Sequence, residues 1–300
     1  MPSNPAARGT DITAHSGMLL AGSPTVKVNE RDAIRLSDPH MCPQTAPQPH
    51  VGGLVRFGTG AGLTVLINRK PATAVGGETQ CPVGMPNVVI TASPNVFYDI
   101  TDTLAGLKVW QDAAGNIHIG DHITIKNVRD RNIHANGTTI PISDDDYAAH
   151  VLADVAKIAN ADPVGAQRLQ SLDASGKNVT ITPNTLNNKN ARSIPLNPAA
   201  ADAGPGTPGP GSDVNIEYTP EEFPPDPRAE STTTGAEGDV ILFHEMNHAD
   251  HQTHGRQASL TNDPALGDYH NQEEFNSIEP DENTYRRARG FPERHHHKHN

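Results

Sequence analysis

A short β-branched run returns three times in the first third of the chain. Gly22-Ser-Pro-Thr-Val-Lys-Val-Asn29 is echoed by Leu63-Thr-Val-Leu-Ile-Asn68 and, more weakly, by Ala92-Ser-Pro-Asn-Val-Phe-Tyr98, each bounded by turn residues. Between them lie Asp32-Ala-Ile-Arg-Leu-Ser-Asp38 and Pro71-Ala-Thr-Ala-Val-Gly-Gly77, further short strands entered from Asn- or Pro-marked turns, and Gly52-Gly53 opens the next run. Such a pattern predicts a compact, strongly turned β unit over residues 1–99. Aromatic residues are only 4% of the chain, so this unit lacks the large side chains that fill a core. Something besides burial has to hold it.

The expected staple is a metal. His15, His40, Cys42, His50 and Cys81 all fall in the turns between the repeated strands, and three imidazoles with one thiolate make a closed tetrahedral zinc site. Cys42 and Cys81 are the only cysteines, which argues against a disulfide scaffold and leaves a mixed Cys/His site open. Residues 5–99 resemble the PAAR-repeat proteins. The resemblance is carried by Pro5-Ala-Ala-Arg8, Thr10-Asp-Ile-Thr-Ala-His-Ser-Gly17, Gly22 to Asn29, Asp38-Pro-His-Met-Cys-Pro43, Pro49-His-Val-Gly-Gly53 and Glu78-Thr-Gln-Cys81. It implies a small conical β fold with zinc near its apex, seated on a trimeric VgrG-type spike at the tip of a type VI secretion needle. His15, His40, His50 and Cys81 are then the ligands, with Cys42 in reserve. Three departures touch the turns: Ser16 replaces the first glycine of HGG, Gly76-Gly77 replaces Gly-Asp, and Gly60-Ala-Gly62 is an insertion.

The pattern changes after residue 100. Gly106-Leu-Lys-Val-Trp110, Asn116-Ile-His-Ile119 and Ile123-Thr-Ile-Lys-Asn-Val128 read as strands joined by tight turns. After Ser143-Asp-Asp-Asp146, a helix start, Ala148, Val151, Leu152, Val155 and Ile158 recur at helical spacing. A second helix over about 163–172 and a strand over 179–181 follow. The stretch PAAADAGPGTPGPG from Pro198 is too rich in Pro and Gly for regular structure, so a long loop is expected at about 197–237 inside one domain spanning 100–300. The fold class is α+β.

The chemistry concentrates in Phe243 to Gly255, FHEMNHADHQTHG. His244 and His248, four apart, share one helix face at the spacing that lets two imidazoles reach one zinc ion, with Glu245 beside the open position as general base. Leu242, Met246 and Ala249 supply a buried face. A third ligand comes from one of two places. His254 has the metzincin spacing, but the glycine of that pattern is His251 here; a helix over Asn271–Ile278 offers the adjacent carboxylates Glu273 and Glu274. This motif, the Glu-Glu pair, Glu282-Asn-Thr-Tyr-Arg-Arg287 and Gly290-Phe-Pro-Glu-Arg294 together resemble the metallopeptidases of bacterial type III effectors and, at the zinc helix, the clostridial neurotoxin light chains. The resemblance implies a zincin-like, gluzincin-type domain in which Glu274 ligates zinc and Glu273 supports from outside. It places Arg294 near the oxyanion and leaves the partner tyrosine's role to His297 or Tyr285. The outermost histidines of His295-His-His-Lys-His-Asn300 read as a solvated tail.

Charge narrows the partners. The formal net charge is −12, with 23 Lys and Arg against 35 Asp and Glu, which argues against a nucleic-acid surface and disfavours a nuclease. No apolar run of membrane-spanning length and no secretory leader is seen. The combined expectation is a type VI effector whose PAAR tip carries a zinc endopeptidase toxin, made in the cytoplasm and translocated into a target cell, with a spike trimer, a protein substrate and a cognate immunity protein as partners. A zinc amidase acting on peptidoglycan and a purely structural tip that docks other cargo are the alternatives.

Overall fold

A computed structural model describes residues 3–297 apart from 44–52, 59, 82–86, 100, 136–137, 144–145, 162, 187–189, 203–206 and 224–236. By internal packing the chain divides into two compact units, residues 1–118 with 148–156, and residues 119–147 with 157–300. Taken together the chain is α+β.

In the first unit the sequence repeats become repeated hydrogen-bond devices. Asp11 accepts from the Arg8 backbone N–H, Nε and Nη2 at 2.8, 3.1 and 3.0 Å. Asp38 does the same for Arg35 at 2.8, 3.0 and 2.8 Å. The serine of each Ser-Pro step likewise folds its own turn: Ser23 Oγ accepts from the N–H groups of Thr25 and Val26, and Ser93 Oγ from those of Asn95 and Val96. Asn29-Glu30 and Asn68-Arg69 close two-residue hairpins with all four φ angles positive, at 49° and 67° and at 49° and 63°. That is the type I′ geometry asparagine favours, and it accounts for the Val-Asn and Ile-Asn endings of the repeated runs. The Gly60-Ala-Gly62 stretch enters the strand Ala61–Ile67, whose pairing shifts register between Gly62 and Leu66.

The apolar content is thin. One cluster joins Ala6, Val28, Ala33, Ile67, Ala72, Ala74 and Tyr98, and a second joins Ala7, Leu19, Ile34, Val55 and Val89. Alanine-rich clusters bury little area, so local hydrogen bonding carries much of the specification. Ser16 sits at φ 60°, in the left-handed region that favours glycine. A side chain there costs energy that glycine avoids, so Ser16→Gly is expected to raise the stability of the full chain by up to about 1 kcal/mol. A lower denaturation midpoint in that variant would contradict this account of the turn.

In the second unit, Ile123–Ile125, Val179–Thr182 and Val214–Glu217 form a parallel array. Arg192–Pro195 pairs antiparallel with Val214–Glu217 and ends the sheet, with Arg192 opposite Glu217 and Pro195 opposite Val214. Ile123, Ile125, Val179, Ile181, Val214 and Ile216 are all buried, the alternate residues of each strand facing one core. Helix α1 spans Tyr147–Ala159, its residues 148–156 belonging to the first unit, and buries Ala148, Val151, Leu152, Val155 and Ile158, as their spacing predicts. Helix α2 spans Val164–Ala174.

The expected loop at 197–237 holds more structure than its composition suggests. Pro198–Ala201 forms a single helical turn, α3, with proline at its start and the Asn197 side chain accepting from the Ala200 N–H at 3.3 Å. Proline is tolerated there because that N–H has no helical partner anyway. Val214–Glu217 is then an interior strand.

Helix α4, Gly238–Thr253, carries the HExxH motif and is buried at every residue but His251. It packs against α2, the edge strand, the strand Val214–Glu217 and the segment Ser277–Glu282. The helix expected over 271–278 is longer than its pattern indicates. Asn271 caps α5, Gln272–Asn276, by accepting from the Glu274 N–H at 2.9 Å. The chain continues through a wide π-turn, Ser277–Glu282, containing Pro280, into α6, Asn283–Ala288. Among the described residues no helix is long and apolar enough to cross a membrane.

Candidate functional site

Three ligand atoms converge on one point. His244 Nε2 and His248 Nε2 lie 3.0 Å apart, and Glu274 Oε2 lies 3.4 and 3.5 Å from them. A tetrahedral zinc with bonds near 2.0–2.2 Å would separate its ligands by about 3.3–3.5 Å, close to these distances. The hydrogen bonding supports the same reading. His248 Nδ1 hydrogen-bonds Glu273 Oε1 at 2.8 Å, and His244 Nδ1 stands 2.9 Å from Glu282 Oε2, so a carboxylate lies on the outer side of each ring. The two Nε2 atoms are turned toward each other at 3.0 Å, and Glu274 Oε2 is buried with no hydrogen-bond partner. Such a cage suits a cation held by His244, His248 and Glu274.

The supports around it are carboxylates kept ionised. Glu273 Oε1 also meets His251 Nδ1 at 2.8 Å, and its other oxygen accepts the Ala258 N–H at 2.7 Å. Burial would raise the Glu273 carboxyl, but hydrogen bonds from His248 and His251 outweigh it and bring it to about 2. Burial opposes ionisation of Glu282 too, yet His244, Arg294 and Arg286 hold it at about 2. Glu282 has no exposed side-chain surface and lies 3.1 Å from Arg286 Nη1 and 2.9 Å from Arg294 Nη1. Glu282→Gln would leave two buried guanidiniums short of their counter-charge, and a loss of about 3–5 kcal/mol of stability is expected. A denaturation midpoint within about 0.5 kcal/mol of wild type would contradict this.

Glu245 is buried beside the cage, and burial pushes its carboxyl up while the neighbouring His244 and His248 oppose. The backbone N–H of Ser193 on the edge strand also acts against that rise. Gln252, two helical turns on from Glu245, accepts the Ser193 hydroxyl at 2.8 Å and donates to the Ser193 carbonyl at 3.4 Å. A groove of about 190 Å³ runs between this edge and Gln257, Leu260 and His297, with His244, Glu245, His248 and Glu274 along it.

The other residues singled out in the sequence fall as follows. His254 caps α4 and faces Asp250, its Nδ1 2.9 Å from the Asp250 carbonyl, away from the cage. Arg294 lies behind Glu282 and donates to the His296 carbonyl at 2.7 Å, outside the groove lining. Tyr285 is fully buried, stacks on Phe243 at 4.2 Å and donates to Asp239 at 2.6 Å, so it too is outside the groove lining. His297 does line the groove, its Nε2 3.2 Å from Glu274 Oε2. Glu282 and Ser193 had no role assigned from the sequence. The four-residue step from Glu282 to Arg286 was a signal for a buried ion pair; nothing in the sequence marked Ser193, whose part depends on strand pairing.

The family model Peptidase M91, described as "Effector protein", matches residues 134–297, more than half of the chain. The chain belongs to this family. The M91 segment begins in the hairpin Asp130–Ser143 and ends on His297, so it takes in the edge strand, α4, both glutamates after Asn271 and the groove-lining histidine. An effector domain of a peptidase family therefore contains the cage. A search of curated proteins finds no match to the chain.

A second convergence lies in the first unit, outside the M91 segment. His15 Nδ1 is 3.3 Å from Cys81 Sγ and 3.9 Å from Cys42 Sγ, and the two sulfurs are 3.5 Å apart. That separation is far beyond the ~2.05 Å of a disulfide and close to the spacing of thiolates on one zinc. His40 and Cys42, two apart along an extended stretch, are both buried, but His40 Nε2 turns to Asn87 Nδ2 at 3.2 Å. Asn87 Oδ1 in turn accepts the His15 backbone N–H at 2.9 Å. Gly17 allows this closure, since a Cβ there would stand 2.2 Å from the Met41 carbonyl oxygen. His50 lies outside the described residues.

Proposed function

We propose that this effector is a zinc endopeptidase toxin delivered by a type VI secretion machine, with residues 1–99 as its PAAR spike tip. The observation that carries the peptidase half is the cage of His244, His248 and Glu274 with Glu245 beside it, in a chain of a peptidase effector family. Zinc in that cage supplies Lewis acidity toward a peptide carbonyl and toward water. The chain's own groups do the rest. Glu245 accepts the proton of the attacking water and returns it to the leaving amine. Glu282 and Glu273 hold the two imidazoles in the orientation and tautomer that keep both Nε2 atoms pointing inward. His297, on the rim, donates a hydrogen bond to the carbonyl oxygen as charge gathers there.

The delivery half is supported by the run of PAAR-type motifs and by the His15, Cys42 and Cys81 convergence. On this reading the partners are a trimeric VgrG-type spike, a protein substrate in the target cell and a cognate immunity protein in the producer. The zincin-like fold and the closed zinc near the cone apex belong to the same proposal. Elemental analysis of the purified chain should find two zinc ions, one resisting chelation behind four protein ligands and one leaving readily. A single ion would remove one half of the proposal, with the metal content of a His244→Ala variant identifying which, and none would remove both.

A further inference from the structure

A cavity of about 770 Å³ lies apart from the catalytic groove, walled by the hairpin Asp130–Ser143, the turn after Val179–Thr182 and the strand Val214–Glu217. Its lining is polar or charged except for Val128 and Pro183. Asn215 and Glu217 alternate with the buried Val214 and Ile216, so they project from the opposite face of the strand into this space. Two charges in its wall are answered internally. Arg131, with a side chain 1% exposed, donates to Glu221 at 2.8 Å, and Glu217 accepts from Arg192 Nε at 2.8 Å. Asp130 is different: it is exposed, it takes the Ser143 hydroxyl at 2.9 Å, and no cation pairs with it among the described residues. The cavity therefore offers one uncompensated carboxylate in a wall that also carries the amides of Asn132 and Asn215. That set accepts hydrogen bonds from a cationic group and has no free cation for an anion.

The cavity and the groove share a partition. Arg192 lines the groove and bonds to Glu217 in the cavity, and the Asn184 amide in the cavity wall bonds to the carbonyl of Asn190 in the groove wall. Asn190 and Arg192 thus border both spaces, which are neighbours across a single chain segment. We propose that the cavity is a second substrate site, taking a lysine or arginine side chain of the polypeptide a few residues from the bond cleaved. Its part in cleavage rests on the peptidase reading; binding of the side chain does not.

The test separates these. N-acetyl-arginine amide and its uncharged counterpart N-acetyl-citrulline amide are titrated into the full chain carrying Glu245→Gln, following backbone amide shifts by NMR. The arginine probe should shift Asn132 and Asn215, citrulline should bind at least about tenfold more weakly, and Asp130→Asn should reduce arginine binding by a similar factor. Equal binding of the two probes, or no shift at those residues, overturns the proposal. In parallel, the wild-type chain digests a proteome-derived peptide library. Lys or Arg should be enriched at a fixed position within a few residues of the cut, and Asp130→Asn should erase that enrichment with zinc content unchanged. Arginine binding without any cleavage would leave the cavity standing and reject the peptidase reading; cleavage without arginine binding or enrichment rejects the cavity.

Discussion

Glu245→Gln should reduce peptide-bond cleavage by about 10²- to 10⁴-fold while leaving fold and metal content in place. The amide keeps the size of the side chain but cannot take the proton of water, and general-base contributions are of that order. The edge strand and α4 should keep their relation, since the Ser193 hydrogen bonds to Gln252 are untouched. Mass spectrometry of new peptide termini in cells expressing the full chain reads the effect directly. Wild-type levels of new termini, or undiminished toxicity, in the Glu245→Gln chain would reject the peptidase proposal and favour a tip that only docks other cargo. Cell lysis with released muropeptides and no new protein termini would point to the amidase alternative.

The second large effect concerns the third ligand. Glu274→Ala removes the carboxylate oxygen that completes the cage, so it should strip the readily lost zinc and abolish cleavage. Glu273→Ala should cost about 10- to 100-fold, because Glu273 holds His248 and His251 without entering the cage. His254→Ala should be mild, since that ring faces Asp250. Zinc content and cleavage measured together on the three variants decide the order. A zinc-loaded, active Glu274→Ala chain would mean that the metal takes its third donor elsewhere.

Much of this site was readable from local spacing, and the rest was not for a definite reason. His244, Glu245 and His248 follow from helical geometry alone, and the Asn271 cap makes the Glu-Glu pair begin a helix. The choice of Glu274 over Glu273 depends on which carboxylate α5 turns toward α4, a tertiary fact. Arg294 was assigned to the oxyanion by resemblance, while the structure seats it behind Glu282, where the π-turn around Pro280 brings that carboxylate against His244. A π-turn shifts the register of every later side chain, so counting by 3.6 beyond Ser277 misplaces them. The Val214–Glu217 strand was hidden by its surroundings. Four residues among so many prolines and glycines leave little periodicity to detect. In the first unit the repeats were legible as strands, but the paired Arg-x-x-Asp clamps were not, because a salt bridge three residues apart leaves no apolar signature.

Helix α4 has almost no surface of its own. A substitution on an ordinary amphipathic helix can drift on its wet side; here nearly every position answers to a neighbour in α2, the sheet or the 277–282 segment. If the peptidase reading holds, family members with different substrates would have little room to vary this helix. Their differences should collect in the edge strand at 190–195, in the stretch around Gln257 and Leu260 and in the 130–143 hairpin, one fixed helix set behind interchangeable walls.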